Sequence, residues 1–406
     1  MANTILTPTA VTREALRILH QKLNFIGTIN RQYDDSYAIS GAKIGDSLKI
    51  RLPNQYTVRS GATLSVQDTT ETSVTLQVAT QKGVDVNFTS AELTMDMDDF
   101  SDRVLSPAMS VLAANIESDA LSMYKNVWNS VIDVGASFSI ADVLNANKVL
   151  TDNLAPSDNR TLNMSTQQNV DLVTATSGLF NDQSKVAKNY REGRVASNSF
   201  GFQNIMESTL MPTHTTGSDD GTGDHLVDDG GTIAEGSTSI AVDTGAGTWL
   251  AGDIFYFDSV YAVHPETKAS TGVLQPFVCT NDEAGATVLI EFTPAIYSSG
   301  AKQNVSAMPA DDAKLNKLES DRSTAIAASA DYGIGMAYHK DAFAFATADL
   351  LKPNGVDFCA RQVMDGLSLR IVRDYDISND KFPCRVDLLY GYKAIRPELA
   401  CRIGMN

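Results

Sequence analysis

The sequence predicts an α+β fold that carries an inserted β-rich module. Three observations support this class: a helical period inside residues 96–133, alternating apolar residues typical of strands on both sides of it, and a change of composition over residues 215–320. The chain has 406 residues, of which 43% are hydrophobic, so it can bury a large core. Its length favours two or three domains.

The composition excludes several classes of protein. A net charge of -17 argues against a protein that grips nucleic acid phosphates, because that mode of binding needs clustered Lys and Arg. Residues 1–23 lack the features of a signal peptide, and no window approaches about 18 uninterrupted apolar residues, so we expect a cytoplasmic protein. Four cysteines stand singly, which predicts free thiols at Cys279, Cys359, Cys384 and Cys401.

A long amphipathic helix is the most extended element that the sequence predicts. It starts at Ser106-Pro107, where Ser can cap the first turn and Pro is tolerated as the first helical residue. Apolar residues then recur at spacings of three and four for about 25 residues, or roughly 37 Å. The predicted apolar face comprises Met109, Leu112, Ile116, Ala120, Met123 and Val127, and Glu117 falls outside it.

Ahead of this helix the sequence predicts a short helix and a hairpin. Apolar residues at helical spacing over residues 10–26 indicate an amphipathic helix on an extended arm. Leu48, Ile50 and Leu52 alternate with basic residues, and a second alternation covers residues 74–78, so two strands are expected. The polar stretch 53–72 between them predicts a long hairpin that projects from the body.

After the long helix, short helices and strands alternate. Ser139 and Asp142 form the pattern of a capping box ahead of an apolar stripe. A strand is predicted at 161–164 and a helix at 167–176, so this region is a mixed α+β layer. Later strands are predicted from residue 335 onward, and at 366–372 and 384–390.

Residues 215–320 form a separate acidic module. They contain 16 acidic residues against 4 basic ones, so about 12 of the 17 net negative charges lie in roughly a quarter of the chain. Runs rich in β-formers, separated by Gly, Asp and Asn turns, occur at 238–242, 254–256, 273–279 and 287–292. Short strands at this rhythm predict a small antiparallel barrel or sandwich.

Catalytic and metal-binding patterns are weak throughout. The five histidines are widely spaced, and the sequence has no zinc-hydrolase motif, nucleophile elbow, P-loop or dinucleotide-binding fingerprint. The acidic stretch 219–224 alternates carboxylates with glycines and could wrap Ca²⁺, but its spacing departs from an EF-hand loop and an acidic linker is favoured. Asp98 and Asp99 are better explained by the helix dipole than as a catalytic pair. No enzyme, cofactor or metal site is predicted.

Several short motifs, taken in chain order, resemble one family. They are Tyr-Arg-Glu-Gly at 190–193, Gly-Phe at 201–202, Leu-Met-Pro at 210–212, Ile-Ala-Val-Asp-Thr-Gly at 240–245, Ala-Gly-Asp-Ile at 251–254, Tyr-His-Lys-Asp-Ala at 338–342 and Tyr-Gly-Tyr-Lys-Ala-Ile-Arg-Pro-Glu at 390–398. With the order of elements, they make the chain similar to the major capsid proteins of tailed bacteriophages with the Hong Kong ninety-seven fold, in the phage P-twenty-two-like coat subfamily with an insertion domain.

The resemblance implies a phage major capsid fold divided along the whole chain. It implies an N-terminal arm at 1–45, an extended hairpin loop at 46–92, a peripheral domain with the spine helix at 93–136, axial-domain parts at 137–224 and 321–378, a β-barrel insertion domain at 225–320, and peripheral return strands at 379–406. The spine's apolar face is expected to pack on the sheet formed by the strands around Val84 and Leu388.

The same resemblance implies a function and a set of partners. The subunit would assemble as pentamers and hexamers into an icosahedral shell around double-stranded DNA, without catalysis or sequence-specific DNA binding. Because the arm spans only about 45 residues, a separate scaffolding protein is expected, together with a portal at one vertex and no membrane. The protein would be part of the virion and assemble in the cytoplasm of the bacterial host.

Opposite charges predict a contact between subunits. Residues 43–59 hold four basic residues against one acidic residue, Asp46, whereas residues 92–102 hold five acidic residues and no base. Two solvated faces that never meet remain the alternative. The contact candidates are Lys49, Arg51, Arg59, Asp96, Asp98, Asp99 and Asp102.

Two other functions stay open on sequence grounds. One is an α+β enzyme or carbohydrate-binding protein with a β-sandwich accessory module, which would need a cleft with convergent titratable groups. The other is a different phage structural part, such as a tail or portal-proximal protein.

Overall fold

The computed structural model describes residues 8–33, 47–64, 66–68, 71–88, 105–133, 136–176, 199–218, 225–228, 233–317, 330–364, 366–378 and 381–405. The chain divides into two compact units. The first comprises Met1–Leu52, Ser73–Leu121 and Phe343–Ile395, and the second comprises Pro53–Thr72, Ser122–Ala342 and Arg396–Asn406. Each unit is therefore built from separated stretches of sequence.

Helices are few in the described part of the chain. The α-helices are α1 (Pro8–Lys22), α2 (Phe25–Thr28), α3 (Ser106–Leu121), α4 (Ile140–Asp152) and α5 (Thr166–Thr176). Short 3-10 turns follow at Ser122–Asn126, Lys340–Ala342 and Pro397–Leu399.

Strands dominate the described residues. They are β1 (Asn30–Tyr33), β2 (Ser47–Arg51), β3 (Ser73–Gln77), β4 (Thr80–Phe88), β5 (Ser130–Asp133), β6 (Arg160–Met164), β7 (Asn204–Glu207), β8 (Thr213–Thr215), β9 (Leu226–Val227), β10 (Ser237–Asp243), β11 (Thr248–Trp249), β12 (Ile254–Phe257), β13 (Tyr261–Val263), β14 (Ser270–Leu274), β15 (Phe277–Cys279), β16 (Glu283–Ala284), β17 (Val288–Ile296), β18 (Leu315–Lys317), β19 (Asp331–His339), β20 (Phe343–Ala348), β21 (Phe358–Met364), β22 (Leu367–Arg373), β23 (Phe382–Ala394) and β24 (Ala400–Met405). The mixture of helices and strands confirms the predicted α+β class.

The first unit is built on one six-stranded sheet. Its strands run in the order β1, β20, β23, β22 and β21, with β4 pairing along β23. The long strand β23 therefore pairs with three others, and all three pairings are antiparallel. A separate two-stranded hairpin, β2 and β3, covers a small apolar cluster that includes Leu76, Leu389 and Ala346. The predicted hairpin strands are confirmed.

The spine helix α3 lies against this sheet, as predicted. On β4, Lys82 forms an ion pair with Asp119 of the helix, 2.7 Å between Nζ and Oδ2. The hydroxyl of Tyr390 on β23 donates a hydrogen bond to the same carboxylate. Val84 lies on β4, which pairs with β23, and the spine contacts β4 as well as helices α1 and α2. The polar contacts are made by Asp119, which is outside the predicted apolar face.

Glu117 was predicted to lie outside the apolar face of the spine, but it is buried. Its side chain is 2% exposed, because its carboxylate accepts hydrogen bonds from the backbone N–H groups of Asn24, at 2.9 Å, and Phe25. N–H groups at a helix start have no partner inside the helix, so the carboxylate anchors the start of α2 on the spine. Burial raises the pKa of Glu117, and these two backbone hydrogen bonds oppose that shift.

The spine is also shorter than predicted. The α-helix ends at Leu121 after 16 residues, and the predicted remainder tightens into the 3-10 turn Ser122–Asn126 before strand β5. Tyr124 is buried in this turn. A spacing of three residues fits a 3-10 turn as well as an α-helix, which explains the overestimate.

The second unit contains two six-stranded sheets. In the first of these, here called the mixed sheet, the order is β5, β24, β19, β6 and β7, with β8 pairing on β19. Helix α4 packs against β24 and β5 and starts with the predicted capping box, in which the carboxylate of Asp142 accepts the backbone N–H of Ser139 at 2.9 Å. The predicted strand at 161–164 and helix at 167–176 are both confirmed.

The other sheet of the second unit is nearly closed. Its order is β18, β12, β15, β17, β10 and β9. Backbone hydrogen bonds join the two end segments: Val227 donates to Ala313 and Leu315 donates to His225, each at 3.0 Å. Aromatic rings fill the interior, among them Trp249, Phe255, Phe257, Phe277 and Phe292. We call this element the closed sheet.

Two strand predictions differ from the structure. Residues 273–279 form two strands, β14 and β15, because Pro276 between them has no N–H for a sheet ladder. Residues 379–406 do not stay together: β23 belongs to the first unit, whereas β24 pairs with β19 in the mixed sheet. The 3-10 turn Pro397–Leu399 separates them, and apolar alternation in the sequence did not predict β24.

Candidate functional site

The basic residues of the hairpin lie on its solvent face. Lys49 and Arg51 are exposed, whereas Leu48 and Ile50 between them are half-buried. Lys49 lies opposite Thr75 and Arg51 opposite Ser73 on β3. Because successive side chains of a strand point to opposite faces, the alternation seen in the sequence places both cations outward.

Arg59 lies in the exposed connection between the two hairpin strands. Its guanidinium donates to the backbone carbonyl oxygens of Gly61 and Thr63, the latter at 3.2 Å. Nearby, the side chain of Gln67 accepts the Thr57 N–H at 2.9 Å and donates to the Thr57 carbonyl at 2.6 Å. The connection is therefore held by its own side chains rather than by a strand ladder.

Exposed apolar side chains accompany these basic residues. Tyr56 is 57% exposed, Val58 94%, Leu64 77% and Val66 78%. A cluster of exposed apolar residues on a soluble protein commonly marks a contact with another protein. Only the charged residues of this segment were predicted to form a contact. The spacing of two between Tyr56 and Val58, and again between Leu64 and Val66, was the signal available.

The acidic candidates lie outside the described residues. These are Asp96, Asp98, Asp99 and Asp102, so their contact with Lys49, Arg51 or Arg59 stays a prediction. The possible Ca²⁺ stretch 219–224 and the motif at 190–193 also lie outside them. Among described residues, no group of His, Cys, Asp or Glu has the geometry of a metal site.

A buried cluster of charged residues in the second unit was not predicted. Its centre is Asp253, which is fully buried in the turn before β12. The carboxylate accepts hydrogen bonds from His214 Nε2 and from the backbone N–H groups of Gly217 and Leu250, each at 3.0 Å. Lys317 Nζ lies 3.4 Å from its second oxygen.

Lys317 is satisfied by three oxygen contacts. Besides Asp253, its ammonium donates to the carbonyl oxygens of Gly217, at 2.9 Å, and Thr248, at 3.0 Å. The same ammonium lies 4.8 Å from the centre of the Trp249 ring, within range of a cation–π interaction. A buried cation is tolerated when it is paired and hydrogen-bonded in this way.

His214 connects the cluster to the mixed sheet. It lies on β8, and its Nδ1 is 3.1 Å from the hydroxyl of Tyr124. We infer a neutral ring whose Nε2–H donates to Asp253 and whose Nδ1 accepts from Tyr124. Burial is the main cause that lowers the pKa of His214; the hydrogen bond with Asp253 opposes it and the charge of Arg402 adds to it.

Asp253 remains ionised despite its burial. Burial alone would raise the pKa of this carboxyl group, but the hydrogen bond from His214, the charge of Lys317 and the backbone N–H of Leu250 outweigh it and hold the pKa below its ordinary value. The pair His214 and Asp253 has the spacing of a catalytic dyad. However, His214 is 3% exposed and Asp253 0%, so no substrate reaches them. The cluster is structural.

The spacing of these residues in the sequence does not predict the cluster. His214, Asp253 and Lys317 are separated by 39 and 64 residues, and only the folded sheets bring them together. One signal was present: the Ala-Gly-Asp-Ile motif at 251–254 is the turn that carries Asp253.

The prediction of free thiols agrees with the structure. All four cysteines are free, with Cys279 and Cys401 buried. Trp249 and Trp128 are buried, as expected for core residues. In the described part of the chain, no helix combines the length and apolar character needed to span a bilayer.

Comparison with known proteins identifies the class. A family model described as "P22 coat protein - gene protein 5" matches residues 28–405. The chain belongs to the P22 coat protein family. It is accordingly a structural protein of a phage capsid and not an enzyme, as the sequence analysis predicted.

The chain is also similar to solved phage structures. One is from Mycobacterium phage Che8, at 12% identity and a TM-score of 0.46, covering 94% of this chain and 90% of that one. A second is the capsid of cyanophage P-SCSP1u, at 11% identity and a TM-score of 0.44, covering 90% of this chain and 84% of that one. A third is the mature capsid of bacteriophage PhiM1, at 10% identity and a TM-score of 0.44, covering 95% of this chain and 87% of that one. A search of curated proteins finds no match.

Removing one partner of the buried pair should destabilise the chain strongly. Asp253→Asn leaves Lys317 buried beside a neutral group, which we expect to cost about 3–5 kcal/mol of unfolding free energy. Lys317→Met should also destabilise, and the double variant should lose less than both single losses together, by roughly 1–3 kcal/mol. Urea unfolding of the full-length chain measures these values.

The matched control is a surface pair. Asp152 and Lys148 lie on one exposed face of α4, 3.4 Å apart, and Asp152→Asn should change stability by only about 0.5 kcal/mol. Strict additivity of the Asp253 and Lys317 losses would contradict the coupling of the two charges.

Acid should weaken the second unit through His214. The pKa of His214 is lower in the folded state than its ordinary value of about 6.5. Between the folded pKa and about 6.5 the unfolded chain therefore binds more protons than the folded chain, so stability falls as pH falls through this window. One such group contributes at most roughly 1.4 kcal/mol per pH unit. Between about pH 7.5 and 5.5, His214→Gln should lose less stability than the unmodified chain. His339, whose pKa burial also lowers, is retained in both proteins, so parallel pH profiles would rule out His214 as the sensor.

Proposed function

We propose that this chain is the major capsid protein that assembles as pentamers and hexamers into the icosahedral head of a tailed phage, enclosing double-stranded DNA. The observation that carries the proposal is the match of the coat protein family to nearly the whole chain, residues 28–405.

The domain assignment is part of this proposal. We assign the hairpin at 46–92 as the extended loop, with 1–45 as the arm ahead of it, and the segments 93–136 and 379–406 as the peripheral domain. Residues 137–224 and 321–378 are proposed as the axial domain. In support, the spine helix packs on β4 and β23, and the mixed sheet combines β6 with β19. The position of β24 in the mixed sheet favours ending the peripheral segment near Ile395.

We further propose that residues 225–320 form a β-barrel insertion domain. The hydrogen bonds that join the two ends of the closed sheet support a barrel, as does its own aromatic core. Fixing this domain would be the role of the buried cluster, because Asp253 and Lys317 belong to the closed sheet and His214 to the mixed sheet.

The proposed partners are those that a closed shell filled with DNA would need. We propose further copies of this chain, a separate scaffolding protein, a portal at one vertex, and packaged DNA held without sequence recognition. The net charge of -17 supports the last point, because an acidic wall binds a polyanion weakly. Assembly would take place in the host cytoplasm, and the finished protein would be in the virion.

We propose that the hairpin is the contact with a neighbouring subunit. Its exposed apolar residues would supply buried area, since Val58, Leu64 and Val66 are each more than three-quarters exposed in the single chain. Lys49, Arg51 and Arg59 would face the acidic segment of the neighbour and set the register of the contact. Exposed ion pairs add only about 0–1 kcal/mol each, so the charges would contribute mainly specificity.

Electron microscopy of expressed protein tests the function. The chain, expressed alone and with candidate scaffolding proteins from the same genome, should form closed shells in negative stain. Soluble monomers under all these conditions would contradict the capsid proposal.

Charge reversal tests the hairpin contact. Arg59→Glu and Asp99→Lys should each reduce the yield of shells, and the double variant should restore it because the opposite charges are exchanged rather than lost. Asp152→Lys, on the exposed face of α4, serves as a control that reverses a charge elsewhere. Failure of the double variant to recover assembly lost in the single variants would rule out the pairing of these two residues.

A further inference from the structure

The turn at Asn354 and Gly355 is exposed and lies in the connection between β20 and β21. Asn354 is the only asparagine of the chain that Gly follows directly. Strands β23 and β22 lie between β20 and β21 in the sheet, so the connection has to pass across the sheet. Residues 351–355 are all exposed on this path.

Arginines of the sheet hold the connection on both sides of the turn. Before the turn, Arg370 Nη1 donates to the carbonyl oxygen of Leu351 at 2.6 Å. After it, Arg373 Nη2 donates to the carboxylate of Asp357 at 2.8 Å. Within the described part of the chain, no hydrogen bond or ion pair involves residues 352–356. The turn is therefore anchored at its ends and free at its tip.

Gly355 leaves its own backbone nitrogen open to attack. Its φ angle is +90°, a conformation that Gly adopts without steric cost. A Cβ atom built at this position would meet nothing within 4 Å, so open space surrounds the residue. Its N–H donates to no acceptor among the described residues. The nitrogen and the side chain of Asn354 are therefore both free to approach each other.

Asn129 shows the opposite arrangement. It also precedes a small residue, Ser130, but it is only 3% exposed. Its amide nitrogen Nδ2 donates to the carbonyl oxygens of Glu398 and Ala400, each at 3.1 Å. Its backbone carbonyl also accepts the N–H of Arg402 at 2.8 Å. This asparagine is held in place and serves as an internal control.

We propose that Asn354 is a site of spontaneous deamidation. The backbone nitrogen of Gly355 loses its proton to hydroxide and attacks Cγ of Asn354, which forms a C–N bond and closes a five-membered succinimide ring. The Nδ2 group of Asn354 takes up a proton from water and leaves as ammonia. Water then adds to one of the two ring carbonyl groups and breaks its bond to the nitrogen, which leaves aspartate or isoaspartate at position 354. One water is consumed and one ammonia is released, so no oxidant or other reactant is needed.

Both products change the turn. Each adds one negative charge to it. Isoaspartate also adds one carbon to the backbone between the anchors at Leu351 and Asp357, so the turn has to take a different path. The reaction needs only the folded chain and does not depend on the role in a capsid.

Peptide mapping of the full-length chain tests the proposal. The purified chain is incubated in a neutral and in a mildly alkaline buffer. After proteolysis, mass spectrometry should show conversion in the peptide that contains Asn354 and none in the peptide that contains Asn129. Conversion should be faster in the alkaline buffer, because the attacking nitrogen must first lose its proton. Methylation by an isoaspartate-specific methyltransferase should detect the second product.

Two variants separate the reaction from its surroundings. Gly355→Ala places a side chain beside the attacking nitrogen and should slow conversion by roughly tenfold, which corresponds to about 1.4 kcal/mol in the barrier. Asn354→Gln should abolish conversion, because Gln would have to close a six-membered ring. This second variant keeps the test decisive if Ala at a positive φ angle alters the turn.

A synthetic peptide with the sequence of residues 350–358 gives the rate for an unconstrained turn. The folded chain should convert at a rate within about tenfold of that of the peptide. No conversion at Asn354 while the peptide converts would overturn the proposal, since the fold would then block the attack. Conversion that persists in Asn354→Gln would place the reaction elsewhere, and equal conversion at Asn129 in the folded chain would remove its structural basis. Either result would also overturn the proposal.

Discussion

The second unit depends on a single carboxylate that is entirely removed from water. Asp253 joins its own turn to two other stretches of sequence, one that holds His214 and Gly217 and one that holds Lys317; His214 lies on the mixed sheet and Lys317 on the closed sheet. A charge at this depth is stable only when each of its acceptor positions is used, so the surrounding backbone has little freedom. The attachment of the closed sheet is therefore fixed by electrostatics, whereas the interior of that sheet is apolar and aromatic.

The first unit uses carboxylates in a similar way along its spine helix. Glu117 holds the start of α2 through backbone N–H groups, and Asp119, half a turn further on, receives Lys82 and the Tyr390 hydroxyl from the sheet. Glu117 and Asp119, two residues apart, therefore hold the helix to α2 on one side and to the sheet on the other. Its apolar residues provide most of the burial, since each buried aliphatic side chain contributes about 1.5–3 kcal/mol, and the carboxylates determine which partners it receives.

Periodicity predicted the elements that depend on one local pattern. The hairpin strands, the capping box at Ser139 and the helix at 167–176 follow from apolar spacing and cap chemistry, which are properties of short stretches. The end of the spine, the strand β24 and the burial of Glu117 depend on partners that are distant in sequence. No local pattern distinguishes a buried Glu that caps another helix from a solvated one, so such positions need the folded structure.

The candidate contact residues also fall into two groups, those that a local pattern predicts and those that need the folded structure. Lys49 and Arg51 lie on the exposed face of the hairpin strand, as strand alternation implies, and their contact with a neighbouring subunit stays a prediction. The apolar side chains at Tyr56, Val58, Leu64 and Val66 could be recognised as exposed only once the connection was found to lack a core of its own. The buried carboxylates of Glu117 and Asp253 have defined partners, whereas the apolar side chains of the hairpin connection are exposed. We expect these side chains to be covered by a neighbouring copy, because exposed apolar area on a single subunit commonly marks a contact with another protein.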